Sequence, residues 1–249
     1  MEDLGVVGNR KKIYAFDGPE DAAGAASREW NRLTQKAIEA RGRSVIAVSG
    51  GRSPVGLFKK LSNYKEGMRW KKTHIFLVDE RFAPLDDSAS NYRMIKENLL
   101  DMVDIPKTNI HPVQIEESVE ISANAYEKEI ANFFDLKKNE IPRFDMILLG
   151  LGEDGHIASL FPGDNAVSER KSLAIPITLD RLQHSRVTLT LPVINNARKI
   201  IFFITGEKKA FAVKGLLEDD GKMPAQLVKP VNGEMLFFLD ALASSLLSK

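Results

Sequence analysis

Six short runs rich in apolar residues punctuate the chain, at residues 44–48, 75–78, 145–149, 187–191, 200–204 and 235–239. Most carry neighbouring apolar side chains instead of a strict in-and-out alternation, the pattern of strands covered on both faces of a sheet. Between them apolar residues recur at steps of three and four: Trp30, Leu33 and Ala37; Tyr92, Ile95 and Leu99; Tyr126, Ile130 and Phe133; Ala210, Val213 and Leu217; Leu239, Leu242 and Leu246. Each trio predicts a helix with one buried stripe. Alternating strands and helices predict an α/β fold with a largely parallel sheet, and they place functional loops just after the carboxyl ends of strands. The polar stretch Lys137-Lys138-Asn139-Glu140 is read as a helix-to-strand connection, so residues 13–249 are expected to form one domain after a disordered lead-in over residues 1–12.

Composition narrows the classes of function. A 43% hydrophobic and 28% charged chain is that of a soluble globular protein, and no apolar run reaches the length of a membrane helix. Thirty-five Lys plus Arg against 34 Asp plus Glu leave a net charge of +1, so no global field recruits nucleic acid and any anion must be captured locally. The absence of cysteine removes disulfides, thiolate metal sites and a cysteine nucleophile together. With no signal-peptide pattern, a cytoplasmic protein is expected.

Four strand-following loops carry candidate chemistry. Ser49-Gly50-Gly51-Arg52-Ser53-Pro54 follows the first run and precedes a helix containing Leu57 and Leu61. Its glycines let backbone N–H groups approach an anion, Arg52 adds charge, and Ser53 and Pro54 suit the cap and first turn; an ordinary tight turn would use the same residues. Asp79-Glu80-Arg81 follows the second run, either as a solvated salt-bridged loop or as functional charges at the sheet's edge. Gly150-Leu151-Gly152-Glu153-Asp154-Gly155-His156 has the G-x-G-x-x-G spacing, but Pro162 and Gly163 interrupt the long helix a dinucleotide site requires. What remains is a histidine beside a carboxylate able to fix its tautomer, as a general base needs. His74, His111 and His184 show no metal-ligand spacing with it. Finally, Lys209 sits in a helix-opening turn, where a cation opposes the helix dipole; it either binds an anion or reaches solvent.

Together with Ser90-Asn91-Tyr92, the Gly152-to-Pro162 segment and Gly206-x-x-Lys209-Ala210, these loops resemble the 6-phosphogluconolactonase family over most of the chain. The related glucosamine-6-phosphate deaminases share the Asp-Gly-His element but continue it towards Phe-Asn-Glu-Pro. Here it continues Ser159-Leu160-Phe161-Pro162, with no counterpart of their ring-opening carboxylate. Two positions depart from the family: Arg52 replaces a small hydroxyl residue, and Ala89 replaces an acid before Ser90, which leaves the role of Asp86 and Asp87 open.

The resemblance implies an α/β sandwich with a Rossmann-like parallel sheet of the glucosamine-6-phosphate isomerase/deaminase kind. It also implies a phosphorylated sugar lactone of the pentose phosphate pathway as substrate, and no cofactor. His156, with Asp154, is then the expected base acting on water. Asp79 and Arg81 are further catalytic candidates, Arg81 serving either the oxyanion or the phosphate. Ser49, Gly50, Gly51, Arg52, Ser53, Gly155, Arg186 and Lys209 are expected to bind substrate. No metal, nucleic acid or membrane partner is expected, and the protein is expected to be a monomer or small homo-oligomer. The alternatives are a sugar-phosphate isomerase or deaminase, and a non-catalytic sugar-phosphate sensor.

Overall fold

The computed structural model describes residues 2–6, 10–64 and 67–248. Its elements run β1 (Glu2–Val6), β2 (Lys11–Phe16), α1 (Pro19–Arg41), β3 (Ser44–Val48), α2 (Val55–Ser62), β4 (Thr73–Leu77), β5 (Asp79–Arg81), α3 (Asn91–Asn98), β6 (Ile110–His111), α4 (Val119–Phe133), β7 (Met146–Leu149), β8 (Ala174–Ile177), β9 (Arg186–Leu189), α5 (Leu191–Asn195), β10 (Lys199–Ile204), α6 (Ala210–Glu218) and β11 (Glu234–Asp240). Eight strands form one sheet in the order β1-β2-β11-β10-β7-β3-β4-β6. Only the β1–β2 pair within it is antiparallel. A small antiparallel sheet, β5-β9-β8, stands apart.

The consecutive apolar residues of the central strands divide between two cores. Ala47, Ile147, Leu149, Ile200 and Phe202 belong to one; Ile46, Val48, Met146, Leu148, Ile201 and Phe203 belong to the other. Alternate side chains point to opposite faces of a strand, so both faces of the sheet are covered. On one face lies α1, whose Ala22, Ala26, Trp30, Leu33 and Ala37 form its buried stripe. Pro19 opens that helix and Gly42 ends it in the left-handed conformation, its N–H donating to the Ile38 carbonyl at 2.8 Å. From β3 the chain builds outward through β4 and β6, then returns to the other side of β3 with β7 and β10. The order reverses between β3 and β7, and the crevice above such a reversal is where parallel sheets bind ligands.

Four expectations are corrected. Lys11 and Lys12 are not a disordered lead-in: they pair with Met235 and Leu236 as the start of β2, and residues 2–6 form a strand beside it, while residues 1 and 7–9 lie outside the described residues. The run at 187–191 ends as a strand at Leu189, and Leu191 opens α5 with Pro192 in its first turn. The trio Leu239, Leu242 and Leu246 straddles the end of β11. Asp240 takes the Ala243 N–H at 2.8 Å and breaks the chain into turns, leaving Leu242 more than half exposed. Ser53 does not cap α2, whose N-cap position is Pro54 with no side-chain bond. Among the described residues no helix is long and apolar enough to cross a membrane.

Away from the crevice, His74 Nδ1 lies 3.2 Å from His111 Nε2, and His111 Nδ1 lies 2.8 Å from Glu129 Oε1. Burial, then His111 and Arg43, push the His74 imidazole down to about 4. Its folded value therefore lies below the ordinary ~6.5, so its contribution is complete above ~6.5 and is lost as pH falls towards 4. Because His74 is only half-buried, we expect a modest effect of about 2–4 °C. Thermal melts at pH 7 and pH 5 should show a smaller acid-induced drop in His74→Gln than in the wild type; equal drops would assign the acid sensitivity elsewhere.

Candidate active site

The loops after β3, β4, β7 and β10, four adjacent strands of the sheet, meet above the reversal point around a cleft of about 160 Å³. The loop after β3 contributes Ser49, Gly50, Gly51, Arg52, Ser53 and Pro54; β5 contributes Asp79 and Arg81; α3 contributes Asn91; β9 contributes Arg186. The loop after β7 supplies Gly150, Leu151, Gly152, His156 and Ala158, and the turn before α6 supplies Lys209. Ten of the twelve expected site residues thus meet in one cleft. Asp154 stands behind it and reaches it through His156, and Gly155 serves the turn instead of the lining.

In the histidine loop, Asp154 Oδ1 accepts from the His156 backbone N–H at 3.1 Å and lies 2.5 Å from His156 Nδ1. Burial raises the Asp154 carboxyl, but the His156 backbone and ring outweigh it and hold the group below the usual carboxylate range. An ionised acceptor requires Nδ1 to carry a proton, which leaves Nε2 of the neutral ring as the free base. Two glycines make this turn possible. A Cβ at Gly152 would overlap His156 Nδ1 and Asp154 Oδ1, and Gly155 has φ +82 under Met223, which a side chain would also strike.

A second arrangement concentrates positive charge. In the small sheet Arg81 lies directly opposite Arg186. Like charges directly across an antiparallel pair destabilise it, so this register is unfavourable unless an anion joins them. Burial first, and then Arg81, lower the Arg186 guanidinium against the pull of Asp79 and Glu80. Asp79 is the partial counterweight: its Oδ2 accepts from Ser159 Oγ at 2.7 Å and lies 3.9 Å from Arg186 Nη1. Ser49 Oγ, Arg81 Nε and Arg186 Nε are buried without a hydrogen-bond partner.

Lys209 adds to this field. Burial lowers its ammonium, with Arg52 in the same direction and Glu153 and Asp154 opposing. Its turn is fixed from another strand: both carboxylate oxygens of buried Asp240 accept the Gly206 N–H at 3.0 Å, where Gly206 takes φ +94.

Several residues to which the sequence assigns no definite role shape the cleft and its surroundings. Glu80, read as one of three solvated or functional charges, is fully buried. Its carboxylate accepts from the Arg81, Asn91 and Tyr92 N–H groups, each at 2.7 Å, and from Ser90 Oγ at 3.0 Å. Burial nevertheless dominates and raises its carboxyl. Phe161 packs 4.7 Å from the His156 ring and lies beneath Arg181 and Arg186. Asp87 Oδ1 accepts from the Ala89 N–H at 2.7 Å, which gives that acid a part in the turn before α3. Among the described residues no group of three or more His, Asp or Glu is arranged to hold a metal ion.

Comparison with known proteins agrees with this geometry. The family model for glucosamine-6-phosphate isomerases/6-phosphogluconolactonase matches residues 17–237. A 6-phosphogluconolactonase of Synechocystis sp. is 40% identical over 213 residues, covering 84% of this chain and 86% of the relative. A solved 6-phosphogluconolactonase from Trypanosoma cruzi superposes with a TM-score of 0.84 at 30% identity, covering 95% of this chain and 97% of that one. A monomeric glucosamine-6-phosphate deaminase shares the fold, with a TM-score of 0.78 at 20% identity over 94% of this chain and 99% of that one.

Proposed function

We propose that this chain, which belongs to the glucosamine-6-phosphate isomerase/6-phosphogluconolactonase family, hydrolyses 6-phospho-D-glucono-1,5-lactone to 6-phosphogluconate, the lactone-opening step of the oxidative pentose phosphate pathway. The observation that carries the reading is the juxtaposition of a histidine–carboxylate pair with Arg81 and Arg186, opposite each other across β5 and β9, in one cleft. A histidine base at one end and cations only partly balanced by Asp79 beside it fit an uncharged ester tethered to a phosphate. Nε2 of His156 takes a proton from water as the oxygen attacks the lactone carbonyl. The tetrahedral oxyanion is met by glycine-turn N–H groups or by Arg81. When the bond from the carbonyl carbon to the ring oxygen breaks, the ring oxygen takes the proton back from the imidazolium and becomes the free hydroxyl of the open acid. Arg52, Arg186, Lys209 and the Gly50-Gly51 amides hold the phosphate.

No step of this scheme needs a metal or a cofactor, and the cytoplasm is the proposed compartment. Proton release should follow addition of freshly generated 6-phosphogluconolactone, persist after exhaustive chelation, and be absent with glucosamine 6-phosphate. Complete loss on chelation, restored by a divalent ion, would sink the metal-free mechanism. Binding of sugar phosphates without lactone turnover would instead make the protein a sensor.

A further inference from the structure

Asn91 hydrogen-bonds to every member of β5. It opens α3, is 2% exposed, and lines the cleft. Its Nδ2 donates to the Asp79 carbonyl at 2.9 Å, its backbone N–H donates to Glu80 Oε1 at 2.7 Å, and its Oδ1 accepts from Arg81 Nη1. The same nitrogen of Arg81 donates to the Ala89 carbonyl at 3.0 Å. The loop after β3 is fitted to this side chain too, because a Cβ at Gly50 would overlap Asn91 Oδ1, Cγ and Cβ. Glycine is therefore required at position 50 by Asn91, independently of any ligand.

We propose that Asn91 is a positioning residue for lactone hydrolysis, holding the Arg81 guanidinium in the cleft through its side-chain carbonyl while leaving the positive charge of Arg81 intact for substrate. The inference rests on the reading that Arg81 serves the bound lactone. Its physical basis is the like-charge pair. Arg81 faces Arg186 across the β5–β9 register, and repulsion favours rotation of Arg81 out of the cleft. A carboxylate acceptor at position 91 would hold it there but would cancel the charge an anionic substrate needs. A neutral carboxamide holds it without cancelling it, and so does the other acceptor, a backbone carbonyl. The second function of the carboxamide, its Nδ2 bond to the Asp79 backbone, fixes its orientation so that the oxygen and not the amide nitrogen faces Arg81.

The test is a double-mutant cycle on kcat/KM, using Asn91→Ala, Arg81→Met and the pair. If Asn91 acts through Arg81, Asn91→Ala should lower kcat/KM about tenfold in the wild-type background and less than threefold once Arg81 is methionine. Equal losses in both backgrounds would overturn the proposal, because removing a residue that merely supports the fold or touches substrate by itself costs the same whether or not Arg81 is present. Asn91→Asp gives the second readout. It keeps the acceptor but adds a negative charge, so it should raise KM for the phosphorylated lactone more than it lowers kcat; a KM unchanged from wild type would also count against the proposal. Should Asn91→Ala fail to fold, Asn91→Ser takes its place in the cycle. Wild-type turnover is measured first. If it is absent, the lactonase reading fails separately, and the cycle is read on the Kd of 6-phosphogluconate, with the same coupling expected and additivity again overturning the role of Asn91.

Discussion

Replacing His156 by asparagine is expected to lower kcat by about 10²–10⁴-fold, the range general-base catalysis contributes, while the melting temperature stays close to that of the wild type. The ring is about one-third exposed and stands in a loop, so its removal takes little from either core. Asparagine keeps a donor for Asp154 but has no basic nitrogen in the place of Nε2. A companion substitution separates the base from its orientation. In Gly152→Ala the imidazole is retained, yet the new methyl group occupies the space of His156 Nδ1 and Asp154 Oδ1. Its kcat should fall in the same direction although no chemical group has been lost. Steady-state kinetics on both variants, with circular dichroism to check the fold, reads the result. A His156→Asn enzyme with unaltered kcat would move the base to another residue.

Lys209→Ala should weaken kcat/KM by roughly 10- to 150-fold, since a charge-assisted hydrogen bond contributes about 1.5–3 kcal/mol. The loss should be confined to phosphorylated substrate, with gluconolactone lacking phosphate as the control. The structure refines where the loss should fall. Lys209 lies within electrostatic reach of Glu153 and Asp154, so the proposed phosphate end and the proposed base are neighbours in one small cleft. Binding energy gained at the phosphate then also places the carbonyl over His156, and part of the loss should appear in kcat beside the larger change in KM. Equal slowing of both lactones would put the lysine at the carbonyl or in the fold and would remove it from the phosphate site.

The sequence made the central sheet and its loops legible because their signals are local. The strand at 44–48 was read with its observed limits, since five buried residues in a row leave little room for slippage. The loops after β3, β7 and β10 announced themselves by glycines, which the turn geometry requires at Gly51, Gly155 and Gly206. Pairings between distant segments were not legible. Asp79-Glu80-Arg81 reads as a charged loop until the distant segment Arg186-Val187-Thr188 pairs with it and makes it a strand. The opposition of Arg81 and Arg186 and the burial of Glu80 follow from that pairing and have no signature in either segment alone. At the carboxyl end, a spacing of three and four misled because its first member, Leu239, belongs to a strand. The N-terminal segment looked disordered because Lys11 and Lys12 gain their place only by pairing with β11.

Asp240 stands at the end of β11, and both of its oxygens hold the Gly206 amide that sets the course of the chain into Lys209. β11 pairs on one side with β10, which leads into that same turn, and on the other with β2. On the ribosome this latch emerges after every residue that lines the cleft. A translation product that stops short of residue 240 therefore carries all of the cleft's chemical groups without the bond that fixes one of its walls.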